Sequence, residues 1–337
     1  MATITDVAAR AGVSVATVSR TLNGKATVDP ELAARVRAAA AELGYQPNGL
    51  ARSLRKRRTA VLALIISDVA NPFFTSVARG VEDVALIAGY SVVLCNSDED
   101  LDKERRYLDM AVEERVAGVV LSPSGETTNV GALLGRGTPV VAVDRPLPGV
   151  DQVLVNTRLA AVEATAHLIR SGYQHIGCVT GPVGIRTADD RLAGYLAALA
   201  AAGRPDDPRL VRRTDYRAEG GQRATVEVLR AGPVDGLLVA NSAQAIGVLE
   251  ALRSAGSRLG TDVGVVAFDD APWATLIDPP LTVVAQPAYE LGALAAKLLL
   301  DRIGGATSEV TVRTLEARLI ERGSSRRSPD PADTARG

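Results

Sequence analysis

The chain has 337 residues, 47% of them hydrophobic and 23% charged, too long for one ordinary domain and apolar enough to bury a large core. Two cysteines, Cys95 and Cys178, each inside an apolar run, and two histidines, His167 and His175, leave little from which to build a disulfide framework, a zinc centre or a histidine-based triad. The formal net charge of −1 conceals an asymmetry: residues 1 to 58 hold ten Lys or Arg against four acids, a net of +6, so the remainder carries −7, and a basic head on an acidic body points to a polyanionic partner for the head alone.

Thr3 and Asp6 spell a T-x-x-D capping box, after which Val7, Ala8 and Ala11 recur at helical spacing until Gly12 ends the helix. Ser14 caps a second helix, Val15 to about Leu22, with Val18 and Leu22 turned toward the first helix and Val15, Ala16, Ser19 and Arg20 turned outward. Asp29-Pro30 opens a third, striped by Leu32, Val36, Ala39 and Leu43 and ended by Gly44. Two short helices joined by a Gly-containing turn and backed by a third describe a helix-turn-helix, an outline shared with helical protein-interaction domains. The outward face favours DNA. Arg20 can pair bidentately with guanine O6 and N7, Val15 and Ala16 can meet thymine methyls, and Thr17 or Ser19 can bind phosphate.

The run YQPNGLARSLRKRRT, Tyr45 to Thr59, holds a leucine among basic residues. A linker has no use for Leu54. As a short helix, the segment puts Leu50, Ala51 and Leu54 on one face, so that Leu54 can wedge between base steps of a minor groove while Arg52, Arg55, Lys56 and Arg57 lie along the phosphates. The alternative is a leucine packed on the body.

From residue 60 apolar runs alternate with amphipathic stretches, the pattern of a parallel-sheet α/β architecture. The predicted strands are 60–66, 90–95, 116–121, 139–144, 175–181, 235–241 and 262–268, and a seam near 145–157 separates two similar halves. Two lobes facing a cleft follow. Ligands of open α/β sheets bind beyond the carboxyl ends of the strands, which singles out Asn71 to Phe74, Asp98, Ser122, Asp144-Arg145, Gly181 to Arg191, Asn241-Ser242 and Asp269. The tail 324–337, rich in Pro, Ser and charge, is expected to be disordered.

The run TITDVAARAGVSVATVSRTLNG, followed by YQPNGLARSL, resembles the lactose and galactose repressor family of bacterial transcription regulators. The resemblance continues through GPVGIRTADDRLAGY, VANSAQAIG, AFDDAPWATLIDPPLTVVAQP and LIERGS, covering about residues 2 to 323. It implies an N-terminal all-α helix-turn-helix DNA-binding domain (1–46), a hinge helix and linker (47–59) and a two-lobed, periplasmic-binding-protein-like α/β domain (60–323) for effector binding and dimerisation. The implied DNA-facing residues are Thr3, Ser14, Val15, Ala16, Thr17, Ser19, Arg20, Asn23 and Tyr45, joined by Asn48, Ala51, Leu54 and Arg55 of the hinge. Phe74, Asp144, Arg145, Arg191, Asn241 and Asp269 match positions that touch effector, with Phe73 and Trp273 as ring-stacking neighbours. The alternative for Asp144 and Asp269 is a cap on the segment that follows each, and for Trp273 a cover on the cleft rim. Ser242 and Asn156 stand where many relatives carry aspartate.

Charged and amide side chains beside aromatic rings suit a polyhydroxyl ligand, so a sugar or sugar derivative is the expected effector, with a nucleoside or purine second. No G-x-S-x-G, G-x-x-x-x-G-K-[ST] or C-x-x-C motif occurs, and no catalytic residue, metal or cofactor is expected. A membrane span would need roughly 18 uninterrupted apolar residues, and the polar start MATITDVAARAG is unlike a secretory signal. A secreted solute-binding protein would need such a signal, and a nucleoid architectural protein would leave the cleft idle. The expectation is therefore a cytoplasmic repressor with no membrane partner, binding double-stranded, pseudo-palindromic operator DNA as a homodimer or dimer of dimers.

Overall fold

The structure, a computed structural model, describes residues 2–22, 28–45 and 59–327. Asn23, Asn48, Ala51, Leu54 and Arg55, the rest of the hinge and linker up to residue 58 and most of the tail lie outside the described residues. The chain divides into two compact units between Thr59 and Ala60.

The first unit holds three helices, α1 (Ile4–Ala11), α2 (Val15–Leu22) and α3 (Pro30–Glu42). Thr3 and Asp6 close the capping box in both directions, and Gly12 takes a left-handed φ of 65°. The positive φ favours glycine there; a Cβ would also stand 2.8 Å from Arg35 Nη2, a group that donates to the Ala11 carbonyl and would have to shift. Asp29 caps α3 ahead of Pro30. Val7, Ala8, Ala11, Val18, Val36, Ala39 and Ala40 make the core. Thr21 is buried more deeply than the expected Leu22, and Ala33 and Ala40 more deeply than Leu32 and Leu43, because small side chains let these short helices approach closely.

The second unit contains two six-stranded sheets. Its first lobe is built from β1 (Val61–Ile66), α4 (Pro72–Ile87), β2 (Ser91–Asn96), α5 (Leu101–Glu113), β3 (Gly118–Leu121), α6 (Gly131–Gly135), β4 (Val140–Val143) and β5 (Asp151–Val155). The second follows with α7 (Thr157–Arg170), β6 (Ile176–Thr180), α8 (Arg186–Ala201), β7 (Val211–Arg213), α9 (Ala218–Ala231), β8 (Gly236–Val239), α10 (Ser242–Ser254), β9 (Gly264–Phe268) and β10 (Thr282–Ala285). The chain then returns to the first lobe as α11 (Ala288–Ile303) and β11 (Val312–Leu315), and ends in the second as β12 (Arg318–Ile320). The sheet orders are β11-β5-β4-β3-β1-β2 and β12-β10-β9-β8-β6-β7. Every pairing is parallel except β10 with β12.

Alternation along the strands explains the layers. In β1, Leu62, Leu64 and Ile66 face α4 and α11, while Ala63 and Ile65 face α5 and α6. The two helices on the first face pack almost backbone to backbone. A Cβ on Gly80 of α4 would lie 2.1 Å from the Tyr289 carbonyl oxygen, and one on Gly292 of α11 would lie 2.1 Å from that of Val77.

Three expectations are corrected. Asp151–Val155, placed in the seam, is a strand of the first lobe, its polar first residue held by Arg302 Nε at 2.6 Å and Nη2 at 2.8 Å. The chain consequently crosses between lobes at three places, after β5, after β10 and after β11, so the halves are not consecutive in sequence. The disordered tail cannot begin at 324: Ser324 and Ser325 are fully buried, and Ser324 Oγ donates to the Val265 carbonyl and accepts from the Thr282 amide, each at 2.7 Å. Among the described residues no helix is long and apolar enough to cross a membrane.

Candidate functional site

In the first unit, Ser14, Val15, Ala16 and Arg20 stand exposed on one side of α2 while Val18 and Thr21 are buried on the other. Ser14 Oγ accepts from the Thr17 amide at 3.1 Å and shares a hydrogen bond with Thr17 Oγ1 at 2.9 Å, so both hydroxyls already fix the start of α2. Thr3 is exposed with its hydroxyl committed to the capping box. Ser19 is half-buried, and Tyr45 is half-buried against the small core. The outward α2 surface is thus short, convex and polar-to-small, the shape of a helix that enters a groove.

In the second unit, the loops at the carboxyl ends of both sheets enclose a cavity of about 170 Å³, smaller than the roughly 300–1,000 Å³ of sites for drug-sized ligands. Phe73, Phe74, Asp144, Arg145, Arg191, Asn241 and Asp269 all line it. Asn71 caps α4 by accepting from the Phe73 amide at 2.9 Å, which places the two phenylalanines in the first helical turn, edge to face with ring centroids 5.0 Å apart. Asp144 and Asp269 end their strands with φ of 66° and 75°, a strained left-handed turn at the cavity wall in each lobe.

The polar groups are held before any ligand is considered. Arg145 donates to both Glu99 oxygens at 2.6 and 2.7 Å and to the Pro123 carbonyl at 3.0 Å. Arg191 donates to the Ala240 carbonyl at 2.6 Å and lies 4.3 Å from the centroid of the Phe268 ring. Asn241 caps α10 through the Gln244 amide at 2.8 Å and donates to the Tyr216 carbonyl at 3.3 Å. Burial pushes the Asp144 carboxyl upward against the pull of Arg145 and Arg191, and pushes Asp269 upward against Arg191 and Gln286. Burial works against the charge of Arg145, yet the Glu99 carboxylate holds it protonated above the ordinary arginine range. Arg191 Nε and Gln286 Oε1 are buried without a hydrogen-bond partner among the described residues. Such atoms suit a ligand offering several hydroxyls, each able to donate and accept.

Trp273 is corrected. It lies in a short 3-10 turn, Pro272–Thr275, packed on the core of the second lobe rather than on the cavity wall. Sequence reasoning also missed Asp68, Glu99, Asp215, Tyr216, Arg217 and Gln286, all of which line the cavity. Asp215 to Arg217 follow β7, whose three residues, Val-Arg-Arg, show no apolar run. Gln286 follows β10, and the run LTVVA ahead of QP was the available signal.

Comparison with known proteins matches residues 3–48 to the model for bacterial regulatory proteins of the lacI family, and residues 165–325 to a periplasmic binding protein-like domain. The chain is similar to the ribose operon repressor of Halalkalibacterium halodurans, with 38% identity over 90% of this chain and 91% of that one. Among solved structures it is similar to the lac repressor dimer bound to operator and the anti-inducer ONPF (26% identity, TM-score 0.86, 96% and 99% of the two chains). A LacI family transcriptional regulator from Enterococcus faecium with bound ribose is another (29% identity, TM-score 0.72, 78% and 98%).

Proposed function

Since the chain belongs to the lacI family of bacterial regulatory proteins and is a ligand-responsive, DNA-binding transcriptional repressor, we propose that its effector is a free pentose of the ribose type, bound between Phe73, Phe74, Asp144, Arg145, Arg191, Asn241, Asp269 and Gln286. The observation that carries this reading is the pairing of two buried carboxylates with two buried guanidinium groups beside a pair of phenylalanines, in a cavity of about 170 Å³. Carboxylates accept from sugar hydroxyls, guanidinium groups donate to them, and the rings cover the C–H faces. The ribose operon repressors and the ribose-bound regulator support the same ligand class.

On this reading α2 enters the major groove with Val15, Ala16 and Arg20 toward the bases, and two copies of the chain meet the two halves of an operator in the cytoplasm. Leu86 and Ile87 at the end of α4, 72% and 89% exposed, with Val93 and Leu94 on the edge strand β2, offer an apolar face for the second copy. The role requires no catalytic step. Ligand and operator act on one equilibrium, so each changes the affinity of the other by the same factor. The test is titration calorimetry with ribose, adenosine and hypoxanthine, followed by operator binding with and without the ligand that binds. Ribose binding that shifts operator affinity supports the reading; binding of the purine alone overturns it.

A further inference from the structure

An ion pair joins the two lobes across the mouth of the cavity. Asp98 lies in the turn after β2 of the first lobe, and Arg217 precedes α9 of the second. Asp98 Oδ1 accepts from Arg217 Nη2, while Oδ2 accepts from Lys103 Nζ of its own lobe at 3.2 Å. Both Asp98 and Arg217 line the cavity, and their side chains keep 34% and 51% of their exposure, so the pair can open and re-form.

The turn that presents Asp98 is unusual. Asp98 and Glu99 take φ of 57° and 59° in succession, a left-handed pair that side chains disfavour. The second residue explains the first: Glu99 reaches inward to grip Arg145 as Asp98 reaches across to the other lobe. One strained turn therefore holds a ligand-facing arginine at one end and the opposite lobe at the other. A ligand that engages Arg145 acts on the turn that closes the mouth.

We propose that the Asp98–Arg217 pair is the latch of the cleft and a determinant of effector specificity, holding the lobes together and restricting the ligand to an uncharged sugar of monosaccharide size. The specificity half rests on the sugar reading above. Six carboxylates, those of Asp68, Asp98, Glu99, Asp144, Asp215 and Asp269, line the cavity against three guanidinium groups, and the cations near the mouth are already engaged, Arg217 and Lys103 by Asp98 and Arg223 by Asp215. A phosphate carried on the sugar would have to compete with these carboxylates for their cations, and a second sugar ring would hold the latch open.

The test uses the full chain carrying nitroxide labels at Arg105→Cys on α5 and Glu219→Cys on α9, exposed positions in opposite lobes, the native Cys95 and Cys178 being buried. Asp98→Ala is expected to lengthen the interlobe distance distribution, and the exchange Asp98→Arg with Arg217→Asp to restore it. Ribose should leave Asp98→Ala about 2- to 5-fold faster, the range for a half-exposed ion pair. Its preference for ribose over ribose 5-phosphate should fall about tenfold. Unchanged distances in Asp98→Ala, or an exchange variant no closer to the parent than the single variants, would overturn the latch. Lengthened distances with an unchanged preference would overturn the specificity half. If ribose fails to bind the parent protein, the effector reading falls while the distances still decide the latch.

Discussion

Gln286 Nε2 donates to Asp269 Oδ1 at 2.6 Å, so the residue just past β10 orients the carboxylate just past the neighbouring strand β9. Its other amide atom, Oε1, is buried without a partner among the described residues. Gln286→Leu should therefore weaken ribose binding roughly 10- to 100-fold, as expected for a hydrogen bond involving a charged group worth about 1.5–3 kcal/mol. Titration calorimetry checks this, with equal affinity in the variant counting against the assignment.

The two sites should separate by mutation. Asp269→Ala is expected to abolish thermal stabilisation by ribose while operator binding persists. Arg20→Ala should keep that stabilisation and lose about 1–3 kcal/mol of operator affinity, the value of a bidentate base contact. The reverse pattern in thermal-shift and DNA-binding measurements would reject both placements.

Burial raises the folded pKa of Asp144 and Asp269. Their contribution to folding stability is then fully present below the ordinary carboxylate range and is lost as pH rises through the raised values. Ligand binding runs the other way, because hydroxyls donate to the ionised form. Ribose affinity should decline on acidification at a pH above that of an ordinary carboxylate, and Asp144→Asn should flatten the decline. Affinity measured across the acid range decides.

Gly181 ends β6 where Tyr216 closes over it, and a Cβ there would stand 2.2 Å from Tyr216 Cζ. Gly181→Ala must displace the ring. The expected result is a loss of ribose affinity of at least about tenfold, with overpacking costing roughly 1–3 kcal/mol of stability. Gly181→Ala/Tyr216→Phe, which keeps the ring carbons, should not restore binding in titration calorimetry; restoration would count against a clash with the ring.

His167 is buried on α7, its Nε2 sharing a hydrogen bond with Ser325 Oγ at 2.7 Å and its Nδ1 lying 3.2 Å from Glu321. Burial lowers its pKa against the pull of Glu321. A depressed histidine contributes stability that is present above the unfolded pKa and lost as pH falls through the folded one. Thermal denaturation should show the parent losing stability from about pH 7 to about pH 5 more steeply than His167→Gln. Parallel curves would show that another group controls the decline.

The sequence by itself determined the helix caps at Thr3, Ser14 and Asp29, the outward face of α2, and the strand ends that place Asp144, Asn241 and Asp269 at a cleft. These rest on local rules: capping chemistry, a 3.6-residue or two-residue period, and the position of a residue just past an apolar run. Only the tertiary structure decided that Asp151–Val155 belongs to the first sheet, that α11 and β11 return to that lobe, and that Trp273 covers core instead of ligand. It also decided that Asp215 to Arg217 and Gln286 reach the cavity, and that Asp98 meets Arg217, 119 residues away. Periodicity reports which way a side chain points from its own element. It carries no record of where the chain crosses between lobes or of which loops meet: the cavity and the ion pair at its mouth are products of those crossings, and the Glu99–Arg145 clamp joins two loops of one sheet.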